Sequence, residues 1–256
     1  MLIAWDNKAD AAAVTAGSEI TTLPGSNVQQ RHLSKKWYTA AAVNSSYLVF
    51  DLGASLSCQL LAVLGTNLTS AATVRVRASV TDPTATGSLA TDTGVVSAGV
   101  KDGYGAIYKD LAAAVASRYW RIDLADASLT QLKIGRVFLG PRWAPSVNQE
   151  YGWQVRVADE SLVDQSYGGQ EYDDVRPQRR VLTFGLNWMD EAEMYDNAFA
   201  IARAKGVRGD VLAVQNSLTS AYLSEQSVFG RLRANEPLIH ENTKIFRQKF
   251  EIWERL

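Results

Sequence analysis

Period-two alternation of apolar and polar positions recurs through the first half of the chain and predicts half-buried antiparallel strands. From Ser46 to Leu52, Leu48, Phe50 and Leu52 fall on one side, with Tyr47, Val49 and Asp51 on the other. From Val74 to Val80, Val74, Val76, Ala78 and Val80 face inward, while Arg75, Arg77 and Ser79 face outward. Tyr119 to Leu124 repeats the pattern with Trp120, Ile122 and Leu124 inward. Polar turn clusters, Asp82-Pro83-Thr84 and Gly103-Tyr104-Gly105, separate the runs. Several such strands within roughly 140 residues imply a sandwich or a barrel. The run from Asp110 to Ala116 has high helix propensity but spans only about two turns. Short isolated helices are marginal, so it reads as a loop or a single helical turn before the strand at Tyr119.

Gly140-Pro141-Arg142-Trp143-Ala144-Pro145 marks a boundary, because prolines stop a strand and hold the chain extended. Beyond it, Val181 to Trp188 alternates strictly, with Leu182, Phe184, Leu186 and Trp188 on one face. Asp190 then offers an N-cap that Glu193 answers in capping-box spacing. The predicted helix, 190–205, carries Tyr195, Ala198, Phe199 and Ala202 as an apolar stripe flanked by Met194 and Ile201. Arg203 and Lys205 suit its negative end, and Gly206 is a natural C′ residue. Strand resumes from Val211 to Gln215, and Ile245 to Trp253 closes with Phe246, Phe250 and Ile252 alternating with charged residues. The reading is a mainly β protein of two domains, 1–140 a β-sandwich and 141–256 a barrel-like sheet with one packed helix.

Composition narrows what such a protein does. Of 256 residues, 46% are hydrophobic and 21% charged, an ordinary globular balance. Lysine plus arginine (26) nearly matches aspartate plus glutamate (27), so no field is available to hold a nucleic acid. The single cysteine, Cys58, lies in an apolar run and reads as a small buried hydrophobe. Met1-Leu2-Ile3-Ala4-Trp5-Asp6 has no basic segment ahead of an apolar one, and no apolar stretch approaches the length of about 20 residues needed for a membrane span. The expectation is therefore a soluble protein that is intracellular when made, with Asn44-Ser45-Ser46 and Asn67-Leu68-Thr69 matching a glycosylation pattern by chance.

The chemistry-bearing residues do not converge on a reaction. His32 and His240 lie far apart, with no ligand at metal spacing and no nucleophile motif. There is no phosphate loop, and Gly103-Tyr104-Gly105 lacks a following helix, so neither cofactor nor metal is implied and no enzyme is expected. Asp159, Glu160, Asp164, Glu171, Asp173 and Asp174 form the densest acidic segment, broken by Gly168-Gly169 and followed by Arg176, Arg179 and Arg180. Two readings stand: a solvated hairpin, or complementary charges (Asp173, Asp174, Arg176, Arg179, Arg180) that set register between subunits. Trp37, Tyr38 and Tyr104 fall in turn-rich stretches. They are candidates either for stacking on sugar rings or for closing the end of a sandwich core.

Two stretches resemble known families. Trp5-Asp6-Asn7, Trp37, Leu48-Val49-Phe50-Asp51-Leu52-Gly53, Ala62 to Leu68, Arg118-Tyr119-Trp120-Arg121-Ile122-Asp123-Leu124 and Ile134 to Gly140 resemble discoidin-like (coagulation factor 5/8 type C) domains. The resemblance implies a jelly roll over most of residues 1–140. The disulfide of extracellular members and recognisable ligand spikes are absent, so it carries over no sugar or lipid site. Arg176 to Asn216, through Arg179-Arg180-Val181-Leu182-Thr183-Phe184, the 190–206 helix and Val211-Leu212-Ala213-Val214, resembles the ring-forming barrel of distal tail proteins of long-tailed bacteriophages and gene-transfer particles. That resemblance implies a tail-tip component of the virion, made in the bacterial host cytoplasm. It would form a homo-oligomeric ring, commonly hexameric, with tail tube, hub and tape-measure proteins as partners. Here the jelly roll precedes the barrel, the reverse of many such proteins. A carbohydrate-binding adhesion module for host-surface glycans is the alternative.

Overall fold

The alternating segments become strands in the computed structural model, which describes residues 1–215, 222–233 and 236–256. The chain is mainly β, and the described residues form two compact units. One comprises Ala4–Arg142 and 222–225, the other Met1–Ile3, 143–215 and 226–256. The first three residues thus belong with the second half: strand β1 (Leu2–Ala4) pairs within that half's sheet. There Ile3 and Trp143 exchange backbone bonds of 2.8 and 2.7 Å.

The first unit holds β2 (Ala13–Ala16), β3 (Trp37–Tyr38), β4 (Ser45–Leu64), β5 (Thr73–Ser79) and β6 (Leu89–Asp92). It continues with β7 (Val96–Ser97), β8 (Ala106–Ala125), β9 (Lys133–Ile134) and β10 (Arg136–Gly140). The two 20-residue strands β4 and β8 pair antiparallel from Ser45↔Ala125 to Leu64↔Ala106, with register shifts between Asp51 and Leu56 and between Cys58 and Leu60. At the first break Gly53 takes φ +75°, and its N–H donates to Asp51 Oδ1 at 2.8 Å. Such irregularities let one strand turn from one layer of a sandwich into the other. The early part of β4 and the late part of β8 sit with β2, β5, β6 and β7; the late part of β4 pairs with β10. Leu48, Phe50, Trp120 and Ile122 from the first part and Leu61, Val63, Ile107 and Val137 from the second share one buried cluster, the core of a jelly-roll sandwich. Full burial of an aliphatic or Phe side chain of this kind contributes about 1.5–3 kcal/mol.

Local reading and structure part at three places here. Residues 110–116, read as a loop or helical turn, are an interior stretch of β8, with Asp110 opposite Leu60 and Val115 opposite Cys58. The partner strand supplies a ladder of backbone bonds that outweighs alanine's intrinsic preference, which is a weak prior. Val80 is exposed rather than inward, because β5 ends at Ser79 and the chain leaves for the Asp82 turn. Arg77, read as outward, is largely covered, since its guanidinium lies against Asp123 of β8 at 2.7 Å.

The second unit contains β11 (Gln154–Ala158), β12 (Leu162–Gln165), β13 (Glu171–Asp174), β14 (Arg179–Met189), β15 (Asp210–Val214), β16 (Val228–Leu232), β17 (Ile239–Asn242) and β18 (Ile245–Glu254). Its main sheet runs β1-β15-β16-β18-β14-β11, with β17 added to β18, while β12 and β13 pair only with each other. Leu182, Phe184 and Leu186 of β14 are buried as the alternation predicts, and Phe184 stacks on Phe250 of β18 at 5.2 Å. Trp188 breaks the rule. A bulge between Leu186 and Met189 turns Met189 inward and leaves Trp188 exposed. Asn216, the last residue of the strand–helix–strand stretch, lies outside the described residues.

The helix α1 (191–205) starts where its cap predicts, with Asp190 accepting from the Glu193 N–H at 2.7 Å, and ends at Gly206 with φ +49°. Glu193 does not return the bond as in a capping box. Its carboxylate accepts instead from the Ser146 N–H at 2.7 Å and hydroxyl at 2.8 Å. The middle turn, Met194–Phe199, is wound as a π-helix. The buried positions are consequently Met194, Ala198 and Ile201, and the predicted stripe residues Tyr195 and Phe199 are exposed.

Candidate functional site

Of the three aromatics singled out for stacking, Trp37 is removed by packing. Its ring is 0% exposed, and its Nε1–H donates to the Ser18 carbonyl at 3.0 Å. It closes the sandwich core, as the bland reading of that residue holds. Tyr38, its neighbour on β3, alternates to the other side and is half-exposed. The Lys133 ammonium lies 5.0 Å from the centre of its ring. Tyr104 is exposed at the tip of the turn between Lys101 and Gly105.

Backbone bonds bring these two tyrosines to one end of the sandwich. Tyr38 lies opposite Lys133 in the short β3–β9 ladder. The Lys133 N–H donates to Asn67 Oδ1 at 2.7 Å, the Asn67 N–H returns a bond to the Lys133 carbonyl at 3.2 Å, and the Asn67 amide nitrogen donates to Gln131 O at 2.9 Å. The Thr66 N–H next to it donates to the Gly105 carbonyl at 3.0 Å. Asn67, read as a chance glycosylation match, is thus the tie between the Tyr38 and Tyr104 loops. Lys36 lies at the same end, its pKa lowered first by burial and then by the Lys133 charge. The Tyr38 ring beside the Lys133 ammonium offers an apolar face next to a hydrogen-bond donor, the combination that a hydroxyl-rich ring requires.

The outward face of β4, β8 and β5 is already satisfied internally. Arg118 bonds Asp51 at 2.7 and 2.8 Å, Arg77 and Arg121 share Asp123, and Arg75 holds Asp92. Arg121 covers the Tyr47 ring at 3.6 Å, so that ring is occupied. The sequence alternation placed these residues outside, but only the strand register shows that opposite charges meet.

In the second unit the acidic segment is a two-stranded hairpin, Leu162 opposite Asp174 and Gln165 opposite Glu171, with all eight strand residues exposed. Three of its carboxylates are met by side chains close by in the chain. Asp159 accepts from the Gln178 amide at 2.7 Å, Arg176 meets Asp174 at 3.1 Å, and Arg179 meets Glu160 at 3.0 Å. Arg180 is drawn onto the sheet and bonds Glu254, so of the five charges proposed for subunit contact it is a bond within the unit. Asp173, Asp174 and Arg176 stay on the exposed hairpin and its base, and Arg179 is half-buried. His32 and His240 are both exposed, and His240 stacks on Phe246 at 4.6 Å. Among the described residues no three His, Cys, Asp or Glu side chains are grouped to hold a metal, and no helix is long and apolar enough to cross a membrane.

Two clefts of the second unit carried no sequence signal. One, of about 440 Å³, lies over the sheet between Trp153, Gly185, Asn187, Arg247 and Lys249. The other, of about 390 Å³, is an apolar groove between Phe199 and Ala202 of the helix and Leu238, with Gln248 below. Each assembles residues from segments far apart in the chain, so neither has a local pattern to find.

No family model matches this chain, and no curated protein does. Among solved structures, it is similar to chitosan-binding module 1 of a chitosanase/glucanase from Paenibacillus sp. IK-5, with 17% identity over 53% of this chain and 99% of the module, at a TM-score of 0.44. A Clostridium perfringens module solved in complex with GalNAc-β-1,3-galactose matches at 9% identity over 53% of this chain and 100% of its own, also at 0.44. A Streptococcus pneumoniae fucose binding module matches at 15% identity over 53% and 95%, at 0.41.

Proposed function

We propose that the protein is a non-catalytic glycan-recognition protein whose first unit presents Tyr38 and Tyr104 to a hydroxyl-rich ligand. The observation that carries this is the Asn67-centred set of bonds that ties the two tyrosine loops to one end of the sandwich. A rigid scaffold carrying exposed aromatics on adjacent loops is a binding arrangement, because loops hold the variable contacts while the sheets hold position. The non-catalytic part rests on the two exposed histidines in separate units and on an acidic segment in which Asp159, Glu160 and Asp174 are bonded to Gln178, Arg179 and Arg176 close by in the chain.

The test is a glycan array followed by titration calorimetry, with chitosan oligomers, fucose and GalNAc-β-1,3-galactose as first probes. Tyr38→Ala and Tyr104→Ala should each weaken binding by about tenfold or more, since stacking contacts of this type contribute roughly 1–3 kcal/mol. An array without a hit, or a double variant that binds as the parent does, sinks the reading.

A second reading, assembly into a homo-oligomeric ring of a phage tail tip, is favoured by one feature. The β12–β13 hairpin exposes Leu162, Val163, Tyr167 and Tyr172 with no sheet to cover them. Residues of this type left outside a core mark contact sites. Sedimentation of the purified protein over a wide concentration range tests it, and a strict monomer at every concentration counts against it.

A further inference from the structure

Gly185 stands where nothing in the fold asks for a glycine. It lies inside β14, opposite Lys249 of β18, and its carbonyl accepts from the Glu150 N–H at 3.1 Å. Its φ is not positive, and it precedes the bulge that follows Leu186. A Cβ built there would meet nothing nearer than Asn187 Oδ1, at 3.4 Å. Gly230 of β16 is different: there a Cβ would fall 1.9 Å from the Trp253 carbonyl oxygen, so packing requires its glycine. A glycine inside a strand gives up side-chain packing and costs conformational entropy. Where neither a bulge nor crowding explains it, it marks the close approach of another molecule to the backbone.

That bare backbone lies on the floor of the cleft of about 440 Å³, within the range of about 300–1,000 Å³ usual for ligand pockets. Thr183 and Asn187 flank Gly185 along the strand, on the same face. Glu150 and the half-buried Trp153 line the cleft from the β11 side, and Glu236, Arg247 and Lys249 from the β18 side. Among the described residues no hydrogen bond or ion pair uses the side chains of Trp153, Thr183, Asn187 or Lys249.

The lining selects the ligand. Its charged groups balance, Glu150 and Glu236 against Arg247 and Lys249, and Arg247 is already bonded to Glu241 at 3.1 Å. An anion would meet the two carboxylates and a cation the two positive ends, so an uncharged ligand fits. The floor is sheet interior, with Lys249 on one side of Gly185 and the Glu150 bond on the other, so no peptide strand can be added there. Thr183, Gln154 and Asn187 bring a hydroxyl and two carboxamides, groups that both donate and accept, as the hydroxyls of a sugar do. Trp153 supplies a face on which a ring can stack. We infer that this cleft is a second binding site, for an uncharged sugar ring seated over Gly185 and stacked on Trp153, its hydroxyls meeting Thr183, Asn187 and Lys249. The site goes beyond the Tyr38–Tyr104 end of the first unit and does not depend on it.

The experiment is a glycan array, then titration calorimetry of the full chain with the strongest uncharged hit and with adenosine. The variants are Gly185→Val, Trp153→Ala and the Tyr38→Ala/Tyr104→Ala double variant. Gly185→Val covers the floor with a side chain that suits a strand, so the urea midpoint should hold while binding at the cleft falls by about tenfold or more. Trp153→Ala should weaken the same binding by about tenfold or more, and it carries the test if the valine disturbs folding. The tyrosine double variant should still bind through the cleft, and adding Gly185→Val to it should abolish that binding. Equal binding by the double variant with and without Gly185→Val overturns the site. A double variant that binds nothing overturns the cleft but leaves the Tyr38–Tyr104 reading. A double variant that binds as the parent does, and loses binding with Gly185→Val, overturns that reading and keeps the cleft. Binding through Gly185 confined to charged glycans or to adenosine overturns the inference, and an array without a hit overturns both.

Discussion

Replacing Trp37 by Ala removes a ring that is 0% exposed and bonded through Nε1 to the Ser18 carbonyl at 3.0 Å. A tryptophan buries about 150–250 Å². At about 25 cal/mol per Å² that is roughly 4–6 kcal/mol, an upper bound because unfolded chains already hide some surface. Truncations of buried aromatics cost about 3–5 kcal/mol, so a loss near 4 kcal/mol is expected. With a urea slope of about 2 kcal/mol per molar, the unfolding midpoint of the first unit should fall by about 2 M. Trp37→Phe keeps most of the ring but leaves the Ser18 carbonyl without its donor, and should cost about 1–3 kcal/mol. Tyr38→Ala is the matched control: its ring is half-exposed, so the midpoint should move by well under half as much, while the proposed glycan binding should weaken by about tenfold or more. The assay is urea unfolding by circular dichroism, with calorimetric titration of the folded variants. A Trp37→Ala midpoint within about 0.3 M of the parent, or a Tyr38→Ala shift as large as that of Trp37→Ala, would refute the division of labour between these adjacent residues.

Two further outcomes follow. Burial pushes the Cys58 thiol up to about 12, so at pH 8 only about one molecule in ten thousand holds a thiolate there. The folded protein should not react with a thiol-specific disulfide reagent over an hour, and should react fully in denaturant; fast labelling of the native protein would show that Cys58 is open. The paired bonds from Arg75 hold Asp92 at about 2, below its ordinary value near 4, with partial burial opposing. A depressed carboxyl pKa adds stability that is present above the unfolded value and is lost as pH falls through the folded one. Thermal unfolding between pH 6 and pH 2 should therefore fall less steeply for Asp92→Asn than for the parent; parallel curves would show that this pair does not contribute.

The helix from 190 to 206 was legible from residues alone, because a cap, a stripe and a C′ glycine act within a few turns of one another. Asp190 bonding Glu193 and Gly206 at positive φ are local chemistry that no distant contact needs to supply. The alternation of Leu182, Phe184 and Leu186, and the burial of Cys58, follow for the same reason: one face of a strand must leave water. What neighbours decide was not legible. The π-wound turn rotated Tyr195 and Phe199 outward, and the bulge before Met189 turned Trp188 to solvent. The alanine-rich run 110–116 became strand because β4 bonds to it from about fifty residues away in the chain. Residues 1–3 joined the sheet of the second unit, where β15 supplies their partner. The same holds for the candidate site. Residue type marked Trp37, Tyr38 and Tyr104 as a set; the core took the first, and the Asn67 bonds brought the other two together. Sequence determined which elements can form, since propensity and periodicity are properties of neighbouring residues. Tertiary structure decided which side chains stay in water, since that depends on the strand or loop that arrives to cover them.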